Sequence, residues 1–95
     1  MHHYVAIIED ANPDTAIGVW FPDLPGCFSA GDTIDEALEN APDAIALYAE
    51  ALAADGRALP EPRTLAALRS DPAFSAEARD HMVALVSTSL PVAAE

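Results

Sequence analysis

Gly18-Val19-Trp20-Phe21-Pro22-Asp23-Leu24-Pro25-Gly26-Cys27-Phe28-Ser29-Ala30-Gly31-Asp32-Thr33-Ile34-Asp35-Glu36 spells out, in order, a strand, a tight turn, a returning strand and the start of a helix. Residues 16 to 22 are rich in β-branched and aromatic side chains and read as a strand. Pro22 to Gly26 stops it, because Pro25 is pre-set for a turn and Gly26 is free to take a positive φ. Cys27 to Ala30 can then return as a short strand. Thr33-Ile34-Asp35-Glu36 is a capping-box sequence: the Thr33 hydroxyl can accept from the Glu36 amide while the Glu36 carboxylate reaches back.

Working outward, residues 4 to 10 (Tyr-Val-Ala-Ile-Ile-Glu-Asp) read as an earlier strand, and Asn12-Pro13-Asp14 supplies a turn that makes the first two strands a hairpin. Downstream, Ile34, Leu38, Ala41, Ile45, Tyr48 and Leu52 recur at spacings of four and three, placing them on one helix face. Asp35, Glu36, Glu39, Asp43 and Glu50 fall elsewhere. The helix should end near Asp55, with Gly56 as a left-handed cap. Pro42 predicts a kink within it, the alternative being a break into two helices with Asn40 capping the second. Leu59 to Pro62 must be extended, and Thr64 to Ser70 reads as a short helix capped by Thr64. Residues 71 to 80 carry no decisive signal. Residues 81 to 87 have the composition of a further strand that can complete the sheet, and residues 88 to 95 read as a tail or the start of something cut short.

Both faces of the first two strands are apolar: Tyr4, Ala6 and Ile8 alternate with Val5 and Ile7, and Ile17, Val19 and Phe21 alternate with Ala16, Gly18 and Trp20. One helix covers only one face. The other must be met by the short C-terminal elements, by a second copy or by a partner.

A chain of 95 residues suits one domain. Sixteen Asp and Glu against four Arg and no Lys give a formal charge of -12, which argues against autonomous nucleic-acid binding and favours a basic protein partner. The lone Cys27 excludes an intramolecular disulfide, no apolar stretch nears the ~18 residues of a membrane span, and Met-His-His-Tyr-Val does not open a signal peptide. A cytoplasmic protein is the expectation.

Few residues carry chemistry. His2 and His3 are adjacent at the terminus, without metal-motif spacing, and His81 stands alone. Cys27 has no neighbouring cation or His to generate a thiolate, and Ser29 lacks a nucleophile-elbow context. Gly26 and Gly31 do not form a phosphate loop. One sharper enzymatic reading remains, in which Glu9, Asp10 and Glu36 converge on Mg²⁺ in a nuclease-like site; solvated strand-end and helix charges are the plainer reading. No cofactor and no resident metal are expected.

The run Gly18 to Cys27, continued by Ser29, Gly31-Asp32-Thr33, Glu36-Ala37-Leu38 and Asn40-Ala41, resembles the HicB family of bacterial antitoxins. The resemblance extends from about Tyr4 through Val86 and takes in Glu9 at the end of the opening strand, Pro60 and Pro62, and the late strand Val83 to Val86. It implies an α+β, partial ribonuclease H-like fold: an antiparallel β-meander, one long helix and a further late strand, without nuclease chemistry. It also implies neutralisation of HicA, a small basic mRNA-cleaving toxin, by burying or distorting its active site and competing with RNA for its basic surface. The alternative is an orphan HicB-like module that serves another protein, mainly by oligomerising. Family members commonly add a C-terminal segment that binds promoter DNA; here residues 1–87 read as the HicB-like domain and 88–95 as a tail, with that segment absent or removed. Pro42 departs from the helix-compatible residue more usual in the family.

A homo-oligomer, dimer or tetramer, is expected from the apolar strand faces. Charge complementarity nominates Glu36, Glu39 and Asp43 on the helix, with Asp23 in the loop, for toxin contact. Pro22, Pro25, Gly26, Gly31 and Thr33 read as architecture.

Overall fold

The structure, a computed structural model, describes residues 1–10 and 16–93. Its elements are β1 (His2–Glu9), β2 (Ile17–Trp20), β3 (Phe28–Gly31), α1 (Ile34–Ala54), α2 (Leu65–Arg69), α3 (Pro72–Asp80) and β4 (Met82–Thr88). The strands form one antiparallel sheet in the order β3-β2-β1-β4. The turn expected at Asn12-Pro13-Asp14 lies outside the described residues. The late strand joins the meander as expected, pairing with β1 along its whole length from His2↔Thr88 to Ile8↔Met82.

Period-two alternation splits the core into two layers. Tyr4, Ala6, Ile8 and Val19 point to one side, where they pack with Phe21, Leu24 and the buried stripe Ala37, Ala41, Ile45 and Leu52 of α1. Val5 and Ile7 point to the other and meet Leu68 of α2 and Phe74 of α3, with Trp20 and Val83 packed alongside. The second apolar face is thus largely covered from within the chain. Both layers fix the register, since a slip of one residue would exchange every β1 side chain between them.

The second strand is shorter than expected. It stops at Trp20 because the chain turns twice in succession, with the Leu24 amide donating to the Phe21 carbonyl (3.1 Å) and the Cys27 amide to that of Leu24 (3.0 Å). Gly26 takes φ +88°, as its place in the turn demands.

α1 runs 21 residues without a break at Pro42, which is exposed and so places its ring against no core side chain. Asn40 does not cap a second helix; its amide donates to the Ala30 carbonyl at 3.0 Å. Thr33 caps α1 through its Oγ1, which accepts from the Glu36 amide at 3.1 Å, while the Glu36 carboxylate reaches past Thr33 to the Asp32 amide at 3.4 Å. At the far end Gly56 (φ +72°) donates to the Ala53 carbonyl and Arg57 to that of Leu52, the paired bonds of a Schellman ending.

Thr64 caps α2 as expected. Residues 71 to 80 resolve into α3, whose start is an Asp-Pro pair: Asp71 accepts from the Ala73 amide at 2.9 Å and Pro72 occupies the first turn. The boundary after residue 87 falls too early. Thr88 is a buried member of β4, Leu90 packs on the core, and Val92 is buried beside Leu59, to which Ala93 donates at 2.6 Å. Leu90 and Val92 behave as core and not as tail.

Candidate functional site

The Pro22–Gly26 turn is a junction. Asp23, only 9% exposed at its side chain, accepts from the Arg63 amide (2.7 Å) and from Arg63 Nε (2.6 Å), and a second Arg63 nitrogen reaches Asp71 at 3.3 Å. The Tyr4 hydroxyl donates to the Pro60 carbonyl, and the Tyr48 hydroxyl donates to the Pro25 carbonyl at 2.9 Å. Burial, reinforced by the charge of Asp23, pushes the Tyr4 hydroxyl up to about 12, so it is a permanent donor at physiological pH. Asp23 therefore ties the turn to the proline-rich segment. Unlike the acids of α1, it is already paired with a cation.

A second set of contacts lays α1 against β3. Ser29 Oγ donates to the Ala37 carbonyl at 2.9 Å, and a Cβ on Gly31 would fall 2.5 Å from the Ala37 nitrogen. Gly31 is thus required by close approach, while Gly26 is required by its φ.

With its apolar stripe buried, α1 turns Glu36, Glu39, Asp43, Leu47 and Glu50 outward at spacings of three and four, all of them exposed. The helix contains no basic residue to balance these carboxylates. Leu47, 67% exposed, interrupts the acidic row and shares a shallow recess with Phe28 of β3, 68% exposed, beside Tyr48 and Ala44. An acidic row running past a bare apolar spot suits a partner with cationic groups beside an apolar side chain, because buried anchors rimmed by polar contacts are how protein interfaces concentrate affinity. The acids are legible in the sequence, whereas the exposure of Phe28 and Leu47 is not. The available signal was Leu47 itself, a leucine outside the apolar stripe.

The nuclease trio is not assembled. Glu9 projects from the sheet face opposite α1 and accepts from Trp20 Nε1 at 3.0 Å, whereas Glu36 belongs to α1 and bonds within its own cap. Among the described residues, the group that brings metal-capable atoms together is a different one, Glu9, Glu77 and His81, within 4.8 Å of one another. Its members are already engaged: Glu9 by the indole, and His81 Nδ1 by the Glu77 carbonyl at 2.8 Å with the Glu77 carboxylate at 3.8 Å. That carbonyl, and the carboxylates of Glu9, Glu77 and Asp80, hold the imidazole above its ordinary 6.5. Cys27 is buried and its thiol is pushed up to about 11 by desolvation, which leaves no thiolate for nucleophilic work. The Ser29 hydroxyl is consumed by Ala37. No helix among the described residues is long and apolar enough to cross a membrane.

Comparison with known proteins places this geometry. Residues 4–93 match the family model of a HicB-like antitoxin of bacterial toxin-antitoxin systems. A protein of 14.9 kDa from the rep-hol intergenic region of Haemophilus phage HP1 is 37% identical over 87 residues, covering 92% of this chain and 61% of the phage protein. Among solved structures, the Burkholderia pseudomallei antitoxin HicB superposes with a TM-score of 0.72 at 29% identity, over 93% of this chain and 64% of that one. A chain of the HicA3 and HicB3 toxin-antitoxin complex gives 0.69 at 30% identity, over 90% of this chain and 95% of that one. This chain thus spans somewhat under two thirds of the phage protein and of the Burkholderia antitoxin.

Proposed function

The chain belongs to the HicB-like antitoxin family of bacterial toxin-antitoxin systems, and from that premise we propose that it neutralises a small basic toxin of the HicA type by binding it, without catalysis of its own. The observation that carries this reading is the outward face of α1. Glu36, Glu39 and Asp43, with Glu50, form an unbalanced acidic row, and Leu47 stands bare within it beside the exposed Phe28 of β3. A toxin that cleaves mRNA must present cations to phosphates, and an acidic surface competes for those same cations. Asp23, the loop acid of the set, is already paired with Arg63, so the acids of α1 carry the uncompensated charge.

In this reading the protein works in the cytoplasm, where mRNA is the toxin's target. The order β3-β2-β1-β4, with α1 following the meander, supports reading the fold as a partial ribonuclease H-like one.

The test is capture of a small basic protein encoded beside this gene, followed by growth rescue when both are expressed. Combined Glu36→Lys, Glu39→Lys and Asp43→Lys should abolish rescue and reduce the salt dependence of binding, and Phe28→Ala with Leu47→Ala should weaken binding at least tenfold with the salt dependence retained. Unchanged affinity in both sets would overturn the assignment of this face.

A further inference from the structure

Four arginines face 16 acids in this chain, and two of the four border one recess. Arg69 ends α2 and Arg79 lies in the last turn of α3, on the sheet face opposite α1. Between them Leu65, Phe74, Ala78 and Val83 line a hollow of about 330 Å³, and no carboxylate belongs to its walls. Glu77 and Asp80, the acids of α3, both fall outside it. The Ser75 hydroxyl donates to the Arg69 carbonyl at 3.0 Å, which fastens α3 to the end of α2 and keeps both arginines on the same rim. The hollow is open on its outer side and sits at the small end of the roughly 300–1,000 Å³ of ligand pockets, so it suits one or two apolar side chains presented from outside.

The two guanidinium groups are uncommitted. Arg63 is engaged by Asp23 and Asp71, whereas among the described residues no ion pair or hydrogen bond engages the side chain of Arg69 or Arg79. A cation near a helix C-terminus complements the dipole, but that contact leaves the fork of N–H donors empty, and α2 is only five residues long. Guanidinium forks match carboxylates, and an apolar hollow beside them takes an apolar neighbour of those carboxylates. A phosphate backbone brings nothing to fill the hollow, and a net charge of -12 repels a long polyanion. A short acidic segment carries less charge and supplies the anchor.

We infer that this recess docks an acidic segment of a partner protein, with an apolar residue of the segment seated in the hollow and its flanking carboxylates on Arg69 and Arg79. The site lies across the sheet from the acidic face of α1, so the two surfaces take partners of opposite charge. It does not depend on the toxin reading.

NMR titration of the isotope-labelled chain with the end-capped peptide Glu-Asp-Leu-Phe-Asp-Glu tests this, at about 150 mM salt so that the long-range repulsion is screened. The expected result is saturable shifts at Arg69, Ala78 and Val83 with a Kd of roughly 0.1–1 mM, as for a short segment in an open recess. Arg69→Gln combined with Arg79→Gln should weaken binding at least tenfold, and so should Ala78→Leu, which fills the hollow and leaves the charge unchanged. The same peptide with glutamine and asparagine in place of its acids should also bind at least tenfold more weakly. The absence of saturable shifts at the recess, equal binding of the neutral peptide, or indifference to the double arginine substitution overturns the inference. Displacement of the peptide by a short oligonucleotide at lower concentration overturns it by making the site one for phosphates, and self-association lost in the double variant overturns it by making the occupant a second copy. Toxin capture by the double variant should be unchanged, since α1 is untouched; its loss would make this face part of the toxin contact and overturn the separate site.

Discussion

Replacing Gly31 by alanine tests the packing of α1 on the sheet at its tightest point. The added Cβ would lie 2.5 Å from the Ala37 nitrogen and 2.9 Å from both the carbonyl carbon and the Cβ of Glu36. Two of those three atoms are backbone, so no side chain can swing aside. Restoring ordinary contact of at least 3.4 Å requires the first turn of α1 to retreat by about an ångström. That retreat stretches the Ser29–Ala37 bond (2.9 Å) and the Asn40–Ala30 bond (3.0 Å), which cross the same seam. Overpacking costs ~1–3 kcal/mol and each strained hydrogen bond adds ~0.5–1.5 kcal/mol. We expect a loss of ~2–4 kcal/mol, or a fall in Tm of roughly 10–25 °C for a domain of this size. Urea denaturation should show a lower midpoint with an unchanged slope. Two glycines serve as controls. Gly26→Ala has open space but φ +88° and should cost ~1–2 kcal/mol, whereas Gly18→Ala, in open space without a positive φ, should be neutral or stabilising by ~0.5–1 kcal/mol. If Gly31→Ala proved as stable as Gly18→Ala, the close approach of helix and strand would be refuted.

Two further expectations concern side chains that tie the fold together. Asp23→Asn leaves one oxygen to serve both the Arg63 amide and Nε; because Arg63 is 44% exposed, solvent screening holds the expected loss to ~1 kcal/mol, or roughly 4–8 °C in Tm, and an unchanged melting curve would remove Asp23 as a tie. His81 should titrate above 6.5 by NMR, since the Glu77 carbonyl and the surrounding carboxylates favour its protonated form. A pKa raised by folding stabilises below the unfolded value, and the contribution is lost as pH rises through the folded one. The destabilisation caused by His81→Asn should therefore be larger at pH 5.5 than at pH 8.5, and a titration at or below 6.5 would contradict the geometry.

Much of the fold was legible because its signals are local. Thr33 before Glu36, Gly56 after Asp55, and Thr64 before Ala67 each place an acceptor or a permissive φ where a helix end needs it, and each is used so. α3 stays ambiguous in the sequence, because its nine residues carry little apolar pattern beyond the Asp71-Pro72 start. The tie made by Asp23 was not legible for another reason: its partner Arg63 lies forty residues on, beyond the reach of any spacing argument. Glu9 and Glu36 were brought together only on paper, because sequence does not say which side of the sheet a helix will take.

The sequence by itself determined the elements and their alternating faces, since caps, turns and periodicity act between near neighbours. It also determined the acidity of α1, which follows from composition. Only the tertiary structure decided that α2 and α3 close the second sheet face, that Val92 returns to Leu59, and that Phe28 and Leu47 remain bare. Those outcomes depend on which apolar surfaces find one another across long stretches of chain. Hydrophobic burial has no direction of its own, and the packed chain supplies it.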